Sequence, residues 1–171
     1  ARCLLLKPDD VPTSVEYGAA DLGVCGKDVL VERESDVYEP LDLKVGVCRM
    51  MVAGRVGVPV STLPGDVPRV ATKYPRTAAA HFARKGVQAD VVYVQGSVEL
   101  APLTGLADLI VDLVETGATL EQNGLEVREE VARVSSVVIA NRASYKLRHA
   151  LVGPLLERLR AAVLAGEAEA G

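Results

Sequence analysis

The sequence predicts an α/β protein of two lobes, with mostly parallel sheets facing a cleft. Short apolar runs alternate with helical stretches along the 171 residues, which is the pattern of strands and crossover helices. With five Tyr, one Phe and no Trp, the core must be filled by Val, Leu and Ala, and this fits α/β better than an all-β sandwich. Finally, Gly18-Ala-Ala-Asp-Leu-Gly-Val24 is echoed by Gly105-Leu-Ala-Asp-Leu-Ile-Val111. Each combines a helix end, a glycine, Ala-Asp-Leu, an apolar strand and a ligand-type loop, once in each half, as two similar lobes require.

Taken in order, residues 2–6 read as a strand and Lys7-Pro8-Asp9-Asp10 as a turn whose Asp caps the next helix. That helix, residues 11–17, tolerates Pro12 in its first turn and ends at Gly18. Residues 20–25 are a second strand, Gly26-Lys27-Asp28 a loop at its C-terminal end, and 29–32 a helical turn. Residues 43–53 form a long apolar strand, and the Gly- and Pro-rich stretch 54–68 marks a lobe boundary. The second lobe starts with a strand at 69–73 and an Ala-rich helix at 76–85 closed by Gly86. A strand at 90–94, a Gly96-Ser97 turn and a short helix at 98–103 follow. Residues 106–111 are a buried strand that leads to Asp112, a loop at 115–119 and a helical turn at 120–123. Residues 125–140 are a long strand, exposed in its first half and buried in its second, able to pass from one lobe to the other. Asn141 caps a helix with Gly153-Pro154 as kink or break, an apolar stripe through Leu155, Leu156, Leu159, Ala162 and Val163, and a frayed tail from 166. The first lobe is then 1–65 plus 130–171, and the second 66–129.

The net charge of −4 argues against nucleic acid or a membrane surface as partner. Cys3, Cys25 and Cys48 are odd in number and lack C-x-x-C spacing, so neither a disulfide framework nor a zinc site is expected. No apolar run reaches the length of a membrane span and no signal peptide is visible, so a cytoplasmic location is expected.

The loop Glu115-Thr116-Gly117-Ala118-Thr119 follows a buried strand and opens a helix. Backbone amides, a helix dipole and the hydroxyls of Thr116 and Thr119 suit a phosphate group. The acids Asp112 and Glu115 do not suit a bare phosphate. They suit the vicinal hydroxyls of a ribose, or a Mg²⁺ that accompanies a polyphosphate. Together the features indicate a phosphorylated sugar, the other reading being a strand-to-helix turn with no ligand.

Four motifs then occur in the order found in one family. The segment Asp10-Val-Pro-Thr-Ser-Val-Glu-Tyr-Gly-Ala-Ala-Asp-Leu-Gly-Val-Cys-Gly-Lys-Asp28 resembles the signature of ATP phosphoribosyltransferase, the opening enzyme of histidine biosynthesis. Arg69-Val-Ala-Thr-Lys-Tyr-Pro75, Gly96-Ser-Val-Glu-Leu-Ala-Pro102 and residues 105–120 match the same family, and residues 134–141 resemble its returning strand. The resemblance covers nearly the whole chain. It implies a fold like the type II periplasmic binding proteins, with the cleft as active site. It implies a reaction in which N1 of the adenine of ATP attacks C1 of phosphoribosyl pyrophosphate and Mg-pyrophosphate leaves. By motif position, Asp112, Glu115, Thr116, Gly117, Ala118 and Thr119 are the phosphoribosyl pyrophosphate loop, with Asp112 and Glu115 on ribose hydroxyls or Mg²⁺. Lys7, Lys27 and Lys73 are candidate contacts to pyrophosphate or ATP, a solvated surface lysine being the alternative for each. Asp21 and Glu99 are further candidates, Asp21 equally a structural cap. His81 and His149 are assigned no role, and no general base is expected because neutral N1 needs none. The short form that the sequence resembles associates with a regulatory subunit related to histidyl-tRNA synthetase, implying a homo-oligomer within a hetero-oligomer. The family's first strand and Pro-Lys-Gly-Arg type loop precede the first residue here, so a preceding segment of the molecule is expected. The competing reading is a non-catalytic two-lobed binding protein, against which the two acids beside the phosphate loop argue.

Overall fold

The computed structural model describes residues 2–61 and 65–170. The chain divides into two compact units, Ala1–Val47 with Val134–Gly171, and Cys48–Arg133.

The first unit is built on a three-stranded sheet of order β1(Leu22–Gly26), β8(Ser136–Ala140), β2(Tyr38–Asp42). Central β8 is antiparallel to both neighbours, with Leu22 opposite Ala140 and Gly26 opposite Ser136. Its run of Val137, Val138, Ile139 and Ala140 is fully buried, as a strand covered on both faces must be. One face packs α1(Val11–Glu16) and α2(Lys27–Arg33) through Val15, Leu30, Cys25, Val137 and Ile139. The other face meets α6(His149–Ala170) through Val138, Val152 and Leu156. Close approach of α1 requires Gly23, since a Cβ there would lie 2.7 Å from Val11 and 2.8 Å from Val15. Asn141 caps α5(Arg142–Leu147), accepting from the amides of Ala143 and Ser144 at 3.1 and 3.0 Å. Its Nδ2 donates to the carbonyls of Val15 and Glu16 at the end of α1.

The second unit holds a five-stranded sheet of order β5(Asp90–Tyr93), β4(Arg69–Thr72), β6(Leu109–Val114), β3(Cys48–Arg55), β7(Leu125–Val134). Strands β5, β4 and β6 are parallel, and β3 is antiparallel to β6. One face packs α3(Pro75–Arg84) through Phe82, Ala78, Tyr74, Val52, Val70 and Val111. The other carries Met51, Ile110, Val98, Ala101 and Leu120, the last from α4(Ala118–Gln122). His81 Nε2 lies 3.1 Å from Glu129 Oε1, and Lys85 pairs with the other carboxylate oxygen, tying α3 to β7. Burial pushes the Glu129 carboxyl up, but the bonds from Lys85 and His81 outweigh it and hold it below the usual range.

Several expectations are corrected. The sheets are not mostly parallel: every pairing in the first is antiparallel and the second is mixed. Residues 2–6 form no strand and are exposed. The apolar run 43–53 is not one strand, because Lys44 (φ 56°) and Gly46 (φ 61°) turn the chain between β2 and β3. Strand β3 therefore joins the second unit, and the boundary falls at 47/48 rather than 65/66. Residues 125–140 divide into β7 and β8, one in each unit, so the second boundary falls at 133/134 rather than 129/130. Gly26-Lys27-Asp28 is not a free loop, since α2 begins at Lys27. Pro154 lies inside α6 without ending it, the break coming instead at Arg148, and the helix runs on to Ala170 rather than fraying at 166.

Candidate functional site

The second unit assembles a polar site at the C-terminal ends of β4 and β6. The parallel register sets Thr72 level with Val111 and with Tyr93, so β4 and β5 end side by side while β6 runs on to Val114. Thr72 is completely buried. Its hydroxyl donates to the carbonyl oxygen of Val111 at 2.6 Å and accepts from the amide of Tyr74 at 2.9 Å. Its carbonyl accepts from the amide of Val94 at 2.9 Å. Lys73, the next residue, is exposed, and its ammonium sits 4.8 Å from the centroid of the buried Tyr74 ring.

Asp112 follows Val111 and lies inside β6, not after it. The amide of Leu113 donates to its Oδ1 at 2.8 Å. Burial pushes its carboxyl above the usual carboxylate range, Glu99 adds to that rise, and the Leu113 bond and the Lys73 charge work against it. Glu99 belongs to the short turn Val98–Leu100, whose preceding residue, Ser97, takes φ 51°. Lys73, Glu99 and Asp112 thus form one electrostatic group, drawn from three separate motifs of the sequence.

The loop beyond β6 turns at Gly117, whose φ of 85° is a conformation that favours glycine. Thr116 Oγ1 lies 3.4 Å from the amide of Ala118. Buried Leu120 anchors α4 in the sheet core, and Asn123 Nδ2 donates to the Thr119 carbonyl at 2.8 Å. The first amides of α4 have no intrahelical acceptors. Exposed Glu115, Thr116, Ala118 and Thr119 lie around them, so the loop offers donors at its tip, with the carboxylates of Asp112 and Glu115 preceding it in the chain.

The remaining candidates lie in the first unit. Lys7 is exposed ahead of the Pro8–Asp10 turn. Lys27 pairs with Glu39 at 2.7 Å. Asp21 accepts from Ser144 Oγ at 2.6 Å and from Arg148 Nη1 at 2.9 Å, which fastens the start of β1 to α5 and the residue after it. Thr72 and Tyr74 did not emerge as site-forming residues in the sequence. The available signal was the hydroxyl that follows the apolar Val70-Ala71 pair at the end of β4.

A family model described as HisG: ATP phosphoribosyltransferase matches residues 7–161. The chain belongs to the ATP phosphoribosyltransferase family.

Its relatives agree with this. An ATP phosphoribosyltransferase from Sorangium cellulosum is 64% identical over 161 residues, spanning 94% of this chain and 74% of that one. ATP phosphoribosyltransferase 2 from Geobacter sulfurreducens is 51% identical over 160 residues, spanning 92% and 76%. Among solved structures, the ATP phosphoribosyl transferase (HisG:HisZ) complex from Thermotoga maritima superposes with a TM-score of 0.84 at 38% identity, covering 95% of this chain and 80% of that one. The Escherichia coli sulphonate binding protein SsuA superposes at 0.63 with 15% identity, covering 95% and 61%, which shows a shared fold and nothing more. As a member of this pentosyltransferase family the chain joins ATP to phosphoribosyl pyrophosphate, the first step of histidine biosynthesis, and a non-catalytic binding role is not favoured.

Proposed function

We propose that Asp112 and the loop of Glu115, Thr116, Gly117, Ala118 and Thr119 hold phosphoribosyl pyrophosphate. The observation that carries this is the juxtaposition of loop amides and threonine hydroxyls with two carboxylates at the end of the central strand. The amides and hydroxyls bind the 5′-phosphate. Asp112 and Glu115 accept from the ribose hydroxyls. The transition state has oxocarbenium character, with positive charge on the ribose and negative charge on the departing pyrophosphate. The carboxylates of Asp112 and Glu115 favour that positive ribose, and Lys73 favours the leaving group. No proton need be removed from neutral N1, so the work is positioning and charge stabilisation. Glu99 and Lys7 are proposed contacts at the ATP side. Asp21 and Lys27 already hold protein partners and would have to exchange them to reach a nucleotide.

No group of three or more metal-ligating side chains occurs among the described residues. Mg²⁺ ordinarily uses one or two carboxylates and completes its shell with substrate phosphates and water. Asp112, with one oxygen bonded to Leu113, and Glu115 fit that partial donor set. Bound there, Mg²⁺ supplies charge neutralisation for pyrophosphate. We further propose a cytoplasmic enzyme assembled as a homo-oligomer with a regulatory subunit of the HisZ kind, a subunit related to histidyl-tRNA synthetase. A relative solved as a HisG:HisZ complex supports that partner. No helix among the described residues is long and apolar enough to cross a membrane.

Calorimetry on the double variant Thr116→Ala/Thr119→Ala tests the loop. Two lost charge-assisted bonds, each worth roughly 1.5–3 kcal/mol, should weaken phosphoribosyl pyrophosphate binding by at least about a hundredfold while ATP binding changes little. Equal loss of both ligands would show that the loop does not bind the sugar phosphate.

A further inference from the structure

We propose that Thr72 is a positioning residue: its hydroxyl, by fixing the end of β4 to Val111 and Tyr74, sets Lys73 beside Asp112 for binding phosphoribosyl pyrophosphate. The inference rests on the site proposed above and concerns a residue that touches no substrate, since Thr72 is completely buried.

The geometry is a relay. The Thr72 hydroxyl donates to Val111, the residue before Asp112, at 2.6 Å. The same oxygen accepts from Tyr74, the residue after Lys73, at 2.9 Å. One oxygen atom thus joins the two backbones that carry the opposed charges. Tyr74 is the second link. Its ring is buried among Phe82, Val70 and Val111, and the Lys73 ammonium lies over it. Fixing the Tyr74 amide fixes the platform on which the lysine rests. The Thr72 carbonyl adds a third link by accepting from Val94, which holds the β5 end from which the chain runs on to Glu99. The Tyr74 amide lies beyond the β4–β5 ladder, whose last paired residues are Thr72 and Tyr93, so the hydroxyl serves a donor that the sheet does not. Valine at this position has the shape of threonine and neither bond. It would remove the bond that the Tyr74 amide makes to Thr72 and the one that Thr72 makes to Val111, and so release the segment that bears Lys73. Serine keeps both bonds.

The test uses the full-length enzyme with its regulatory subunit and steady-state kinetics in phosphoribosyl pyrophosphate at saturating ATP. Thr72→Val should raise KM for phosphoribosyl pyrophosphate by about tenfold, the equivalent of one net hydrogen bond, with kcat changed by less than about threefold. Thr72→Ser should restore both values. Thr72→Cys, with a weaker donor, should show the same changes at smaller size and serves if the valine variant does not fold. Wild-type KM in the valine and cysteine variants, or a serine variant as impaired as the valine one, would overturn the proposal. Asp112→Asn separates the two levels. If it binds phosphoribosyl pyrophosphate as wild type does, the site assignment itself fails. If it binds poorly while Thr72→Val behaves as wild type, only the role of Thr72 fails.

Discussion

Asp112 is a carboxylate kept where ionisation is costly. It sits in the central strand with apolar neighbours before and after it, and burial raises its pKa despite the Leu113 amide and Lys73. A group prepared in this way ionises more readily when a ribose hydroxyl or a cation arrives, so part of the binding energy is realised only with substrate present. The sign of the pH dependence follows. The ionised form binds, the folded pKa is raised, and binding is therefore lost as pH falls through a value above the ordinary aspartate range. The substrate's own phosphates titrate too, so the comparison is between wild type and Asp112→Asn. The wild-type advantage in phosphoribosyl pyrophosphate affinity, measured by calorimetry, should be largest at high pH and shrink as pH falls. A constant ratio across pH would remove Asp112 from the site. The acid and the loop residues were visible in the sequence as types and spacing. The raised pKa was not, because it depends on burial in a strand that the sequence places three residues too early.

At the scale of elements, Asn141 does two jobs that its sequence position discloses only in part. As cap to α5 it could be read from the chain. Its two bonds to the end of α1, 125 residues away in the case of Glu16, could not. Asn141→Ala should remove the cap, worth about 1 kcal/mol, and leave two carbonyls short of a donor at roughly 0.5–1.5 kcal/mol each. Thermal unfolding should then fall by several degrees, at about 2–4 °C per kcal/mol for a chain of this size, with kinetic constants unchanged at low temperature. An unaltered melting temperature would mean that solvent replaces these bonds at no cost. Elements with strong local signals were legible: α3 with its Pro75 start and Gly86 stop, β4, β5 and the helix after Asn141. Strands β2 and β3 were not. The apolar string from Leu43 to Ala53 looks continuous, and the break depends on Lys44 adopting a positive φ that its side chain disfavours. The antiparallel pairing of β3 with β6 escaped for a similar reason. It joins residues about sixty apart, and periodicity within β3 says nothing about its partner's direction.

For the molecule as a whole, the discontinuous plan was foreseen from the return of residues 134–141, but its joints lie elsewhere. The first crossing, 47/48, falls between β2 and β3, and the second, 133/134, at the end of β7, rather than at the Gly- and Pro-rich stretch. That stretch connects β3 to β4 inside one unit. The acidic balance of the chain, −4, has a functional corollary. Two polyanionic substrates must be drawn to a chain of the same sign, so in the proposed site their capture rests on local donors at the loop and on Lys73. Added salt should therefore weaken binding through those few contacts without a long-range steering effect. The most direct measurement is pyrophosphate release from ATP plus phosphoribosyl pyrophosphate by the full-length protein with Mg²⁺ and a subunit of the HisZ kind supplied. Release should require both substrates and should fall steeply in Thr116→Ala/Thr119→Ala at phosphoribosyl pyrophosphate concentrations near the wild-type KM. No release under those conditions by the wild type, or release that persists without phosphoribosyl pyrophosphate, would contradict this expectation.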